Sequence, residues 1–116
     1  MDLSSLREML SFIYTNEFNG QEANISSLFS AADQYQILGL VARCERLMIQ
    51  RLSIENAAEF FYKSFLHDSA ELKSTSMDFI SKNFAAVKVT DGWAKLKRNP
   101  KSSDALELIL DFVIKN

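Results

Sequence analysis

The stretch RLSIENAAEFFYKSFLHDSAELKSTSMDFI, from Arg51 to Ile80, decides the fold because it contains two helical patterns with a very short connection. Ser53 is placed to cap the first helix, and Asp68 with Glu71 forms a capping box before the second. The inward positions recur at helical spacing: Ala57, Phe60, Phe61 and Phe65, then Leu72, Phe79 and Ile80. Two helices joined this closely form a helical hairpin.

The chain before this hairpin also has helical spacing. A first helix begins at the capping box Ser5–Glu8 and ends at Asn19-Gly20. Asn24 is placed to cap a second helix, and Gly39 is predicted to break it before a third begins at about Leu40. The expected inward residues are Ile25, Leu28, Ala32 and Tyr35 in the second helix, and Leu40, Val41, Cys44, Leu47 and Met48 in the third.

The chain after the hairpin continues with helices. Ala57 and Ala58 are small enough to admit a close neighbouring helix, and a short helix is expected over Phe84 to Lys88. Thr90 should cap a helix that Pro100 ends, and Ser103 should start the last one. The expected inward residues are Trp93, Leu96, Leu106, Ile109, Leu110 and Val113. Since no run alternates with the strand period, the predicted fold is all-α, a stack of antiparallel helical hairpins.

Composition narrows the class of protein. The 116 residues are 47% hydrophobic and 24% charged, with a net charge of −2, which is typical of a soluble globular protein. The densest basic run, Lys95 to Lys101, fits a solvated helix end better than a phosphate site. Neither a signal peptide nor an apolar run of membrane-spanning length is present. We expect a protein of the nucleus and/or cytoplasm that binds neither nucleic acid nor membrane.

The sequence offers little chemistry. His67 stands beside Asp68, but no nucleophile neighbours the pair, and the end of a helix explains a histidine there. Cys44 lies between apolar residues at helical spacing, where a thiol packs as a small hydrophobe. One histidine and one cysteine cannot assemble a metal site, and no glycine-rich phosphate loop occurs. We expect no catalytic, cofactor or metal site, and therefore no enzyme.

Several segments, taken in order, resemble the BTB/POZ–BACK region of the speckle-type POZ protein family, the MATH–BTB substrate adaptors of cullin-3 ubiquitin ligases. They are REMLSFIYT (Arg7–Thr15), SLFSAADQYQILGL (Ser27–Leu40), LSIENAAEFF (Leu52–Phe61), LHDSAELKSTSMDFI (Leu66–Ile80) and the Gly92-Trp93 pair. The resemblance implies that residues 1–52 are the C-terminal part of a BTB/POZ domain. It implies a short BACK domain over residues 53–116, whose first helix pair, the 3-box, widens the cullin-binding surface.

The resemblance also implies interface residues and a partner. Tyr14, the tyrosine of FIYT, is the expected cullin-3 contact, although it could equally complete the apolar stripe of its helix. Glu55, Asn56 and Glu59 are further candidates, although each could be part of a solvated face. Asn16 stands where the family has glycine, and the N-terminal half of the BTB domain is lacking, so we expect weakened cullin-3 binding.

Three functions stay open at this point. The first is a non-catalytic fragment of a cullin-3 adaptor; the second is a truncated relative that associates with full-length adaptors and dampens them. The third is a helical interaction module in transcriptional regulation. Because a sheet covers the corresponding helices in the family, we also expect self-association through an apolar patch on Leu6–Tyr35. Ser53 to about Val113 should be the autonomous folding unit.

Overall fold

The computed structural model describes Arg7, Leu10 and residues 25–115. Within these residues the chain forms seven α-helices and one 3-10 helix, with no strand, which confirms the all-α fold class. The helices are α1 (Ile25–Gln34), α2 (Leu38–Gln50), α3 (Ala57–Leu66), α4 (Ala70–Lys82), α5 (Phe84–Val87), α6 (Asp91–Arg98), η1 (Pro100–Ser102) and α7 (Ser103–Lys115). The predicted caps Ser5, Glu8 and Asn24 and the Asn19-Gly20 turn lie outside the described residues.

The chain divides into two compact units, Met1–Gln50 and Arg51–Asn116. In the first unit α1 packs against α2. The buried apolar residues of these two helices follow the expected helical spacing: Ile25, Leu28, Phe29, Ala31, Ala32, Leu40, Cys44 and Met48. Cys44 is fully buried, as the sequence predicted for a thiol that packs as a small hydrophobe.

The connection between α1 and α2 differs from the prediction. Gly39 lies inside the first turn of α2, whereas the chain turns at Gln36, whose φ of 58° is in the left-handed region. The Gln36 N–H donates to Asp33 O (3.1 Å) and the Ile37 N–H to Ala32 O (2.9 Å), a pattern that ends helices in a Schellman motif. Tyr35, expected inward, is 56% exposed because the helix has ended before it.

The second unit has a core to which its five α-helices, α3 to α7, all contribute. α3 packs against α4 and α6, α4 packs also against α5 and α7, and α6 packs against α7. The core cluster contains Ala57, Ala58, Phe61, Met77, Ile80, Val87, Trp93, Leu96, Ala105 and Ile109. The Phe84 ring meets the Trp93 ring edge-on, with centroids 5.3 Å apart. Such a pair contributes about 0.5–1.5 kcal/mol beyond its buried area.

The hairpin of α3 and α4 corrects both predicted caps. Ser53 lies one turn before α3: the N-cap is Asn56, and the Ser53 hydroxyl accepts from the Asn56 N–H within the preceding turn. Asp68 does not cap α4: its φ is 53°, and it follows the end of α3, while Ser69 is the N-cap of α4. The Ser69 N–H donates to Ser64 O at 2.9 Å, which closes the turn after α3. Asp68 therefore makes the turn and does not begin the next helix.

The end of the chain follows the sequence closely. The Thr90 hydroxyl accepts from the Trp93 N–H (3.2 Å) and caps α6, as predicted. α6 ends before Pro100, and α7 begins at Ser103, also as predicted. On α7, Ile109 is fully buried, but Leu110, expected inward, is 39% exposed because it lies at the edge of the buried face.

Candidate protein-interaction surface

The start of α3 is held by a network around Asn56. The Asn56 Oδ1 accepts from the Ser53 N–H (2.8 Å), and the Asn56 Nδ2 donates to Arg51 O (2.8 Å). In return, the Ser53 Oγ accepts from the Asn56 N–H at 3.4 Å. This reciprocal pattern is that of a capping box. Asn56 therefore uses both ends of its amide within the turn, and this fixes the backbone that presents its neighbours.

Glu55 and Glu59 flank this turn and are both exposed. They are one helical turn apart, a spacing that places two side chains on the same face of a helix. The structure thus brings together three of the four residues that the resemblance singled out. Tyr14, the fourth, lies outside the described residues.

A close approach of α6 shapes the neighbouring surface. A Cβ on Gly92 would lie 3.1 Å from Glu55 O and 3.8 Å from Ala58 Cβ, so a side chain at this position would press on the backbone of the opposing turn. Ala57 and Ala58 are fully buried. The two alanines therefore admit a close neighbouring helix, as the sequence predicted, and that helix is α6.

Beside this approach lies a groove of about 290 Å³ between α3 and α6. We call it the α3–α6 groove. It is lined by Glu55, Ala58, Glu59, Tyr62, Asp91, Gly92, Lys95, Leu96 and Asn99. The half-buried Tyr62 supplies an aromatic ring and Leu96, 5% exposed, supplies a narrow apolar edge, whereas Ala58 is fully buried. The volume is at the lower end of the range for ligand pockets, about 300–1,000 Å³, which suits one or two side chains of a partner better than a cofactor.

The charges of the groove are unbalanced. Glu55, Glu59 and Asp91 supply three carboxylates, and Lys95 supplies one ammonium group. No salt bridge within the described residues joins any of these four side chains to a partner. The first turn of α6 suits Asp91 because the helix dipole favours an anion there. Glu59 has the same advantage in the first turn of α3, and Glu55 lies in the turn just before that helix. With three carboxylates against one ammonium group, the groove has a negative rim.

Sequence reasoning found one side of the groove and missed the other. Tyr62, Asp91 and Lys95 carried no motif, and their grouping depends on which helix packs against α3. The available signal was the pairing of small residues: the two alanines of α3 and Gly92 on α6 together allow the close approach that forms the groove.

Residues with potential chemistry are dispersed. His67 is the C-cap of α3, as expected for a histidine at a helix end, and Cys44 is buried in the other unit. Within the described ranges no three His, Cys, Asp or Glu residues are grouped to hold a metal ion. The basic run ends α6, with Lys95, Lys97 and Arg98 in its last turn. The helix dipole favours cations at this end of a helix. No helix in the part of the chain that is described has the length and apolarity to cross a membrane.

Comparisons with known proteins identify the first part of the chain. Residues 1–52 match the BTB/POZ domain. The TD and POZ domain-containing protein 4 of Mus musculus is 33% identical over 98 residues, which cover 83% of this chain and 26% of that protein. The BTB and MATH domain-containing protein 42 of Caenorhabditis elegans is 31% identical over 110 residues, covering 91% and 27%. The chain thus spans about a quarter of the length of these relatives.

BTB/POZ domains are protein-interaction domains and are typically non-enzymatic. The match therefore indicates a protein-interaction module in residues 1–52.

Proposed function

We propose that this chain is a non-catalytic part of a substrate adaptor for cullin-3 ubiquitin ligases. One observation carries the proposal: the hairpin α3–α4 begins immediately after the BTB/POZ match, which ends at residue 52. In the family that the sequence resembles, the 3-box helix pair occupies this place and widens the cullin-binding surface. The MATH domain in the name of one relative supports the same family of adaptors.

In this proposal, residues 53–116 are a short BACK domain whose role is to present a docking face. The proposed contacts are Tyr14 in the first unit and, considered by itself, the start of α3 in the second. Glu55 and Glu59 are exposed and reach the partner directly, whereas Asn56 acts through the turn that it ties together. The protein acts in the nucleus and/or cytoplasm and contributes no ubiquitin chemistry of its own. Association with full-length BTB relatives, or with a second copy, is part of the same proposal.

The test is a calorimetric titration of the full chain with the N-terminal domain of cullin-3. We expect this chain to bind less tightly than a complete BTB–BACK adaptor, because a few residues of an interface dominate affinity and the candidates in this chain are few. Tyr14→Ala should weaken binding further, since tyrosines are frequent anchors of interfaces.

A charge-reversed pair tests the start of α3. The variant E55K/E59K should bind cullin-3 less well than the control E71K/E107K, which makes the same charge change on α4 and α7. The absence of measurable heat with the unmodified chain, at concentrations where a complete adaptor saturates, would contradict the proposed function. Equal binding of both double variants would leave cullin-3 binding intact and remove Glu55 and Glu59 from the interface.

A further inference from the structure

The α3–α6 groove combines an apolar floor with a negative rim, and we propose that it binds a partner peptide segment that carries an arginine beside an apolar residue. The half-buried Tyr62 and the edge of Leu96 provide the floor, and Glu55, Glu59 and Asp91 provide the charge. This proposal goes beyond cullin-3 binding, because the side chains of the groove would recognise any segment with this chemistry, in cullin-3 or in another protein.

Charge complementarity selects a cation. Three carboxylates line the groove against one ammonium group, and none of the four side chains is paired within the described part of the chain. Like charges grouped in a concave surface raise the local concentration of an oppositely charged ligand. A basic side chain of the partner would pair with Glu55 and Glu59, which form no salt bridge within the described part of the chain.

The aromatic ring selects arginine over lysine. Tyr62 lines the groove one turn beyond Ala58. A guanidinium group is planar, stacks on aromatic rings and forms paired hydrogen bonds with carboxylates, whereas an ammonium group does neither as well. Glu55 and Glu59, one turn apart, provide carboxylates on the same side as this ring.

The floor selects an apolar neighbour for the arginine. Gly92 lies where α6 comes closest to α3, and a Cβ there would be 3.1 Å from Glu55 O. Because glycine has no side chain, nothing at this position fills the groove. The apolar side chain of the partner would cover the edge of Leu96 and the exposed part of the Tyr62 side chain. Burial of such a side chain supplies affinity that surface charges alone do not.

The experiment measures fluorescence anisotropy of labelled heptapeptides added to the full chain. The probe is GSLRLSG, and the matched peptides are GSLKLSG, GSLELSG and GSSRSSG. We expect GSLRLSG to bind best, GSLKLSG several-fold less well, and the glutamate and serine peptides not measurably. An affinity order in which the lysine or glutamate peptide equals the arginine peptide would overturn the proposal, and so would no binding of GSLRLSG at about 1 mM.

Protein variants locate the site. E55Q/E59Q should weaken GSLRLSG binding about 3- to 10-fold, the effect of two exposed charge pairs, while the control E71Q/E107Q should leave it unchanged. K95Q should strengthen it because it removes the cation of the groove. Equal effects of the two double variants would overturn the proposal. Peptide binding without cullin-3 binding would contradict only the proposed function, and cullin-3 binding without peptide binding only this inference.

Discussion

The two helical hairpins of the chain share a backbone plan and differ in the side chains that complete it. α1 and α2 have 10 and 13 residues, as do α3 and α4, and each pair is joined by three residues. The middle residue of each connection is in the left-handed region without being glycine: Gln36 with φ 58° and Asp68 with φ 53°. Each connection closes with a backbone hydrogen bond of 2.9 Å across six residues, Ile37 to Ala32 and Ser69 to Ser64.

The difference lies at the closing residue. Ile37 is partly buried and is matched with the apolar Ala32, as helix ends of this kind prefer. Ser69 and Ser64 are instead both buried and polar. The Ser64 hydroxyl donates to Phe61 O (2.6 Å), but the Ser69 hydroxyl has no hydrogen-bond partner in the described part of the chain. An unsatisfied buried hydroxyl is destabilising, so the second hairpin depends more on its aromatic core and on α6. The same turn can therefore be held in two different ways.

The largest loss of stability is expected when an aromatic residue of the second hairpin is removed. F61A should destabilise the protein by about 3–5 kcal/mol, because the fully buried ring belongs to the core that α3 to α7 share. Urea unfolding gives the total loss, and hydrogen exchange gives its location. The matched variant F29A, buried in α1, should raise exchange mainly in α1 and α2. Equal acceleration of all helices by both variants would show that the two hairpins do not have separate cores.

The next effect tests whether α6 must lie close to the second hairpin. G92V should cost about 1–3 kcal/mol, since its side chain meets the backbone of Glu55. The control K97V places the same residue at an exposed position of α6 and should cost clearly less. If G92V lowers the thermal unfolding temperature no more than K97V does, α6 does not lie as close to α3 as the structure shows.

A smaller effect is expected at the start of the second hairpin. N56A removes the hydrogen bonds to Ser53 and Arg51 and should cost about 1–2 kcal/mol. N56D keeps the acceptor for the Ser53 N–H and loses the donor, so it should cost about half as much. Chemical denaturation ranks the two. A loss in N56D equal to that in N56A would mean that the Ser53 bond contributes nothing.

The smallest effect sharpens the comparison of the two turns. Q36G should stabilise the protein by about 0.5 kcal/mol, because the relief of a left-handed non-glycine residue exceeds the entropy that glycine loses. D68G should change little, since aspartate tolerates this conformation better. Matched urea curves decide between them. A clear loss of stability in Q36G would show that its side-chain bond to Asp33 O, 2.9 Å long, outweighs the strain.

How far the sequence predicted the fold depended on the range of the forces involved. The Thr90 cap was predictable because its hydroxyl bonds the backbone three residues away, and the start of α7 because Pro100 ends the helix before it. Both turns were mispredicted: Gly39 seemed the natural breaker and Asp68 the natural cap. The position of each turn depends on where the apolar face of a helix stops packing against the neighbouring helix. Short-range helix propensity carries no information about that packing. The groove was half predicted for the same reason, since Asp91 and Lys95 meet α3 only through packing.

Hydrogen exchange of the full chain, with and without the cullin-3 N-terminal domain, tests the central claim most directly. The claim is that the start of the second hairpin forms part of a partner-binding face. The account predicts slower exchange around Tyr14 and over residues 55–62 when cullin-3 is present, with no change in the turn at Gln36 or along α7. Protection confined to α7, or no change in exchange anywhere at saturating cullin-3, would contradict it.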